Sequence, residues 1–154
     1  MAMVGAGWLM RRPLVKDCMT PDPVTICPET TLPEADHLMK KCNVRRLPVV
    51  EQGRLVGIVT LGDIRDASPS CTTALSFYEW HYLLARLTVR DVMTRDPIWV
   101  SPETSLQAAG RLMLEHNISG LPVCDEAGRL VGIITDRDIF RVLLTEAETR
   151  PLLV

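Results

Sequence analysis

Two short stretches place a hydroxyl three residues ahead of a carboxylate, each time after a glycine and two aliphatic residues. They are Gly57-Ile58-Val59-Thr60-Leu61-Gly62-Asp63 and Gly132-Ile133-Ile134-Thr135-Asp136-Arg137-Asp138. Threonine followed by aspartate at this spacing reads as a helix start, with the hydroxyl at the cap and the carboxylate one turn in. Such a start carries unpaired backbone N–H groups and the positive end of the helix dipole, so it favours an anion. The hydroxyls of Thr60 and Thr135 can donate to a phosphate oxygen. The carboxylates of Asp63 and Asp138 can each accept two hydrogen bonds, which suits a cis-diol such as the 2′ and 3′ hydroxyls of ribose. Phosphate at the tip with ribose one turn deeper describes a nucleotide. A single motif is equally well a pair of ordinary first-turn residues; its recurrence in the same register points to a ligand.

The elements that must position these residues also occur twice. Val15-Lys16-Asp17-Cys18-Met19-Thr20 returns as Val89-Arg90-Asp91-Val92-Met93-Thr94, an offset of 89 − 15 = 74. Pro28-Glu29-Thr30 returns as Pro102-Glu103-Thr104, and Leu47-Pro48-Val49 as Leu121-Pro122-Val123. An extra residue near Ala127 shifts the closing motif by one. Two copies imply a pseudo-two-fold module. Each copy reads as strand, helix, hairpin, helix. Val24-Thr25-Ile26 and Ile98-Trp99-Val100 are short β-type runs. Thr31 with Glu34, and Thr104 with Gln107, fit capping boxes. Leu32, Ala35, Leu38, Met39 and Cys42 then recur at helical spacing, as do Leu106, Ala109, Leu112, Met113 and His116. At the end of its stripe His116 is expected to be half-buried. Hairpins turn at 51–54 and 125–129. Between the copies Ser68-Pro69-Ser70 breaks the chain, and Leu75, Tyr78, Tyr82 and Leu83 predict a connecting helix over 74–87. The expected layout is a tail over 1–12, a first domain over 13–67, a linker with a helix over 68–88, a second domain over 89–146 and a tail over 147–154.

A copy of about fifty residues is marginal as a lone core, so the halves are expected to fold against each other. With 17 basic and 19 acidic residues the net charge is −2, which gives no global attraction to nucleic acid or to an anionic membrane. The cysteines number five, an odd count with no CxxC pair, favouring reduced intracellular thiols over a disulfide framework. The apolar start, Met1 to Met10, is too short to span a bilayer. Arg11 and Arg12 follow it, the wrong order for a secretory signal. It reads as a loosely docked tail, or as residues ahead of a natural start at Met10. The chain is expected to be cytoplasmic.

The repeat, closed each time by Gly-h-h-Thr-x-x-Asp (h, aliphatic), resembles the cystathionine-β-synthase (CBS) domain, and the pair resembles a Bateman module, over roughly residues 13–145. The linker Ser68-Pro69-Ser70 followed by Tyr78-Glu79-Trp80-His81-Tyr82-Leu83-Leu84 is similar to stand-alone bacterial CBS-pair proteins, including those of acetoin utilisation. The resemblance implies an α+β fold of two tandem CBS domains, each strand-helix-strand-strand-helix, related by a pseudo-two-fold axis. It implies a regulatory module that binds adenosine-containing ligands (AMP, ADP, ATP, NAD or S-adenosylmethionine) in the cleft between the domains. Asp63 and Asp138 would hold ribose, with Thr60 and Thr135 near phosphate. Val24, Val44 and Arg45 would complete the site of Asp138, while Ile98, Ile118 and Ser119 would complete that of Asp63. Arg46 is a further phosphate candidate. Family members pair into disc-shaped dimers through their helices, implying a homodimer here and a regulated partner protein elsewhere.

The two sites are not expected to be equal. Arg45-Arg46 becomes Ser119-Gly120 in the second copy, so the pocket of Asp138, which the arginines would face, is expected to tolerate more phosphate charge. Arg137 either adds a cation there or faces solvent. Thr25 becomes Trp99, which could stack on a base or block the second site but is expected simply to pack. The residues offer no catalytic constellation. His37, His81 and His116 are scattered, and there is no HExxH, GxSxG, Walker A loop or GxGxxG. The chain is therefore expected not to be an enzyme and to hold no metal. An interaction scaffold with vestigial sites is the alternative to a nucleotide sensor.

Overall fold

A computed structural model describes residues 12–67 and 77–149 of the chain. The side chains of Phe77, Trp80, His81 and 146–149 lie outside that description, as does the expected tail up to Arg11. The described elements of the first half are α1 (Val15–Cys18), β1 (Thr20–Pro21), α2 (Leu32–Cys42), β2 (Arg46–Glu51), β3 (Arg54–Thr60) and α3 (Leu61–Asp66). They continue with α4 (Phe77–Leu84), α5 (Val89–Val92), β4 (Thr94–Arg95), α6 (Leu106–Glu115), β5 (Gly120–Cys124), β6 (Leu130–Thr135) and α7 (Asp136–Thr149). Both halves thus mix helix and antiparallel sheet, as an α+β repeat requires. The connecting helix predicted over 74–87 is present as α4. Helix α7 runs past 146, into the stretch expected to be a tail.

Packing divides the chain differently from the sequence repeat. One compact unit is Pro23–Pro97; the other joins the stretch up to Asp22 to the stretch from Ile98 onward. Each unit therefore holds one hairpin and the opening segment of the other copy. In the first unit the sheet order is β2-β3-β4, with Ile58 opposite Thr94. Val89 N donates to Thr30 O at 2.8 Å and Leu32 N to Leu87 O at 3.1 Å. In the second unit the order is β1-β6-β5, with Thr20 opposite Ile133. Val15 N donates to Thr104 O at 2.8 Å and Leu106 N to Pro13 O at 2.9 Å. The borrowed segments bring apolar anchors. Val89 is buried with Ile26, Leu32, Ala35, Met39, Leu47, Val49, Val59 and Ile64. Val15 is buried with Val100, Leu106, Ala109, Met113, Leu121, Val123 and Ile134.

Local chemistry explains the boundaries. Thr31 N and Oγ1 both donate to the Glu34 carboxylate, at 3.0 and 2.8 Å, closing the expected box at the start of α2. The box expected between Thr104 and Gln107 does not form. Ser105 caps α6 instead and accepts from Ala108 N at 3.2 Å, while the Thr104 hydroxyl accepts from Ser101 N in the turn before it. Thr31 plus the repeat offset of 74 is residue 105, so the cap moves by one against the sequence reading. Asn43 (φ 53°) and Asn117 (φ 52°) follow α2 and α6 in the left-handed region, where asparagine is among the better-tolerated residues. The first hairpin turns at Gln52 (φ 51°) and Gly53 (φ 76°), the two-residue turn whose twist matches that of the strands. In the longer second turn Asp125 Oδ1 accepts from both Ala127 N and Arg129 N.

Candidate functional site

Strand β3 ends at Thr60, and α3 begins on the next residue. Thr60 stays extended (φ −112°, ψ 162°) and caps the helix. Its N and Oγ1 donate to Asp63 Oδ2 at 2.7 and 2.8 Å, and Asp63 N returns a bond to Thr60 Oγ1 at 3.2 Å. The second copy repeats this where β6 meets α7. Thr135 N and Oγ1 both donate to Asp138 Oδ2 at 2.9 Å. The expected helix starts are therefore present, with one difference in chemistry. Each threonine hydroxyl gives its proton to its own aspartate. The carboxylate one turn in is the strongest acceptor within reach, and a charge-assisted bond is the stronger one.

The cap uses Oδ2 of each aspartate and leaves Oδ1 to other partners. Asp138 Oδ1 faces the Arg141 guanidinium at 3.5 Å. Asp138 is a buried charged residue at 8% exposure, whereas Asp63 is half-buried. The same cap occurs elsewhere: Thr88 N and Oγ1 donate to Asp91 Oδ2 at 2.8 and 3.0 Å. That aspartate is exposed. Cap geometry alone thus does not set the two motifs apart; their place at the end of a central strand does, with the carboxylate buried at Asp138 and half-buried at Asp63.

The residues expected to surround these pairs fall as follows. In the first unit, Arg46 lies directly across the sheet from Thr60, and Arg45 O accepts from Leu61 N at 2.8 Å. Val44, tied by its N–H to Met39 O at 2.9 Å, precedes them. Val24 is 39% exposed, two residues before the parallel bridge from Ile26 to Val49. In the second unit, Gly120 lies across from Thr135, and Ser119 O accepts from Asp136 N at 3.1 Å. Ile118 N is tied to Met113 O at 2.9 Å, and both Ile98 and Ile118 pack partly against the core. Within the units, then, Val24, Val44, Arg45 and Arg46 accompany Thr60 and Asp63. Ile98, Ile118 and Ser119 accompany Thr135 and Asp138.

Two charged groups beside Asp138 escaped the sequence reading. Asp136 Oδ1 accepts from Arg137 N at 2.8 Å, so a carboxylate sits on the tip of α7. Arg141 pairs with Asp138 from one turn deeper. The signal for both was present, since Asp136 replaces Leu61 and Arg141 replaces Asp66 between the copies. The Arg137 side chain is exposed. Trp99 is 48% exposed, against the expectation that it packs. His116 is also exposed, because α6 ends at Glu115 and turns away through left-handed Asn117. Burial pushes the Cys18 thiol pKa up, helped by the negative charges of Asp17 and Asp138. A shallow groove along α2 is lined by Thr25, Cys27, Pro33, His37 and Lys41 among others, and by no residue of the Thr–Asp motif. Among the described residues, no group of three or more His, Cys, Asp or Glu gathers to hold a metal ion, and no helix is long and apolar enough to cross a membrane.

Comparison with known proteins agrees with the repeat. The family model for the CBS domain matches twice, over residues 15–70 and 89–145. An inosine-5′-monophosphate dehydrogenase of Korarchaeum cryptofilum is 37% identical over 119 residues, covering 77% of this chain and 22% of that protein. The chain thus spans about a fifth of the length of such curated relatives. Among solved structures, the CBS domain pair of protein MJ0100, in complex with 5′-methylthioadenosine and S-adenosyl-L-methionine, has a TM-score of 0.74 at 31% identity; the match covers 88% of this chain and 99% of that one. CBSX2 of Arabidopsis thaliana in complex with AMP gives 0.72 at 32% identity, over 87% and 98%. The AcuB protein of Vibrio cholerae gives 0.73 at 32% identity, over 90% and 95%.

Proposed function

The chain belongs to the CBS-domain family, with two copies in tandem, and from that premise we propose that it is a regulatory module for adenosine-containing ligands. The class comprises AMP, ADP and ATP, with NAD and S-adenosylmethionine as further members. In this reading Asp63 and Asp138 hold ribose hydroxyls on the oxygen that the cap does not use. Val24, Val44, Ile98, Ile118 and Ser119 supply contacts to adenine. Arg45 and Arg46 meet phosphate, Arg137 is an exposed cation beside the second site, and Thr60 and Thr135 fix their aspartates instead of touching phosphate directly. Occupancy is passed to a partner protein. A ligand regulates only through different affinity for two arrangements of the protein.

The observation that carries this reading is the burial of Asp138 in a cap that needs only one of its oxygens. Burying a carboxylate is costly, and an exposed one caps as well, as Asp91 does. The bound 5′-methylthioadenosine, S-adenosylmethionine and AMP of the MJ0100 pair and CBSX2 support the ligand class. Self-association through helix faces belongs to the same reading, with Phe140, Leu143 and Leu144 of α7 exposed. So does a cytoplasmic setting.

The scaffold reading has its own support, because the repeated Thr–Asp pairs satisfy themselves as helix caps. Calorimetric titration with AMP, ATP, adenosine and S-adenosylmethionine, with GTP as control, decides between them on wild type, Asp63→Ala and Asp138→Ala. Adenosine-specific binding weakened by either substitution supports the sensor. Binding of none of these compounds leaves the scaffold.

A further inference from the structure

The two Thr–Asp motifs differ at both residues after the threonine, where Leu61-Gly62 becomes Asp136-Arg137. The first copy has Leu61, an uncharged side chain whose amide is held by Arg45 O. The second has Asp136, whose amide is held by Ser119 O and whose carboxylate accepts from Arg137 N at 2.8 Å. The first amide is thus held alike in both copies; in α7 the next one, Arg137 N, is taken as well, and a negative charge lies beside it. The neighbouring cations do not reproduce the first copy. Arg45, exposed beside the start of α3, is replaced by Ser119. Arg141 faces Asp138 Oδ1 at 3.5 Å, one turn deeper, and the Arg137 side chain is exposed.

We propose that Asp136 sets the charge preference of the Thr135–Asp138 site. That site selects an adenosine compound whose 5′ substituent is neutral or cationic and disfavours one that carries a 5′-phosphate. The inference rests on the reading of Asp138 as a ribose acceptor, and it reverses the expectation that this site is the more tolerant of phosphate. The physics is like-charge repulsion at short range, added to the loss of one helix-tip donor that an anion would use. Asp136 would act on the ligand's charge, leaving ribose recognition to Asp138.

The test is calorimetric titration of the full chain carrying Asp63→Ala with adenosine and with AMP, repeated after adding Asp136→Asn or Asp136→Glu. In the Asp63→Ala chain adenosine should bind about ten-fold more tightly than AMP, the scale of one short like-charge contact near a protein surface. Asp136→Asn should narrow the ratio by about five-fold or more, and Asp136→Glu, which restores the charge, should largely recover it. AMP binding as tightly as adenosine in the Asp63→Ala chain overturns the proposal, whether or not the Asp136 variants fold. So does a ratio that Asp136→Asn leaves unchanged in a chain melting like its parent. Adenosine binding to wild type but not to Asp63→Ala removes the second site, and the proposal with it. Failure of both compounds to bind wild type refutes the ligand reading itself, a result distinct from binding without charge preference.

Discussion

Met93 lies over Gly57 so closely that a Cβ at that glycine would stand 2.5 Å from the methionine sulfur. Met19 does the same to Gly132, at the same 2.5 Å. Each methionine joins the helix to the strand of the segment borrowed from the other copy, and each glycine opens a Gly-h-h-Thr-x-x-Asp motif. The motif's glycine therefore matters for packing, since it leaves room for the incoming segment beside the strand that delivers Thr60 or Thr135.

Gly57→Ala should accordingly destabilise the protein by about 1–3 kcal/mol through overpacking. Adding Met93→Ala should recover part of that loss, because the clash is with a side chain. Urea unfolding of the single and double variants measures both. Additive losses would show that sulfur and glycine do not share the space.

Removing the carboxylate of Asp138 takes away the acceptor of both Thr135 bonds. Asp138→Ala should cost about 1–2 kcal/mol, the usual scale of a lost helix cap, and lower Tm by several degrees. Thr135→Val keeps the backbone donor and should cost less. Thermal unfolding without ligand separates this structural role from any loss of binding.

Several carboxylates are held ionised by hydrogen bonds. The Thr31 backbone and hydroxyl keep the Glu34 pKa below its ordinary value, and Thr88 does the same for Asp91. Glu29 is lowered chiefly by its hydrogen bond to Arg90. A carboxylate with a lowered folded-state pKa stabilises the fold at pH values above its unfolded pKa and loses that contribution as pH falls through the folded value. Stability should therefore be insensitive to these groups from neutrality down to about pH 5 and then decline toward about pH 2. Glu34→Gln should melt lower than wild type at neutral pH, with the gap closing in acid. A gap that stays constant with pH would remove Glu34 from this account.

Cysteine reactivity should follow burial. Cys124 is 1% exposed in β5, and burial pushes its thiol up to about 11, while Cys27 is exposed. The thiolate is the reactive form. Under limiting iodoacetamide near neutral pH, peptide mass spectrometry should find Cys27 alkylated well before Cys124, and Cys124 modified only on unfolding. Early labelling of Cys124 would contradict the burial of that strand.

Much of this was legible in the sequence because repetition confirmed each local signal. The hairpins, the stripes of α2 and α6 and both Thr–Asp helix starts follow from periodicity and caps, which are local properties. The start of α6 at Ser105 was also within reach through the offset. The exchange of opening segments was not, because pairing of Thr20 with Ile133 spans most of the chain and leaves no local mark. At the candidate site, residue types and spacing singled out the two aspartates and predicted the helix starts they cap. They did not show that the threonine hydroxyls are spent on those aspartates, nor that the Asp136 carboxylate accepts from Arg137 N. Those outcomes depend on competition between nearby acceptors, which composition does not rank.

The borrowed segments also bear on how either copy behaves when cut from the chain. Strand β6 is covered on one side by β5 and on the other by β1, which comes from the opposite end of the sequence; β3 is covered likewise by β4. A fragment beginning after Asp22 would leave one flank of β6 bare, with Gly132 and Ile133 paired only to β5, and one ending before Val89 would strip β4 from β3. Exposed strand edges recruit other chains. The exchange is thus a built-in guard against aggregation, and dividing this chain at its sequence repeat would turn each sheet into a template for intermolecular pairing.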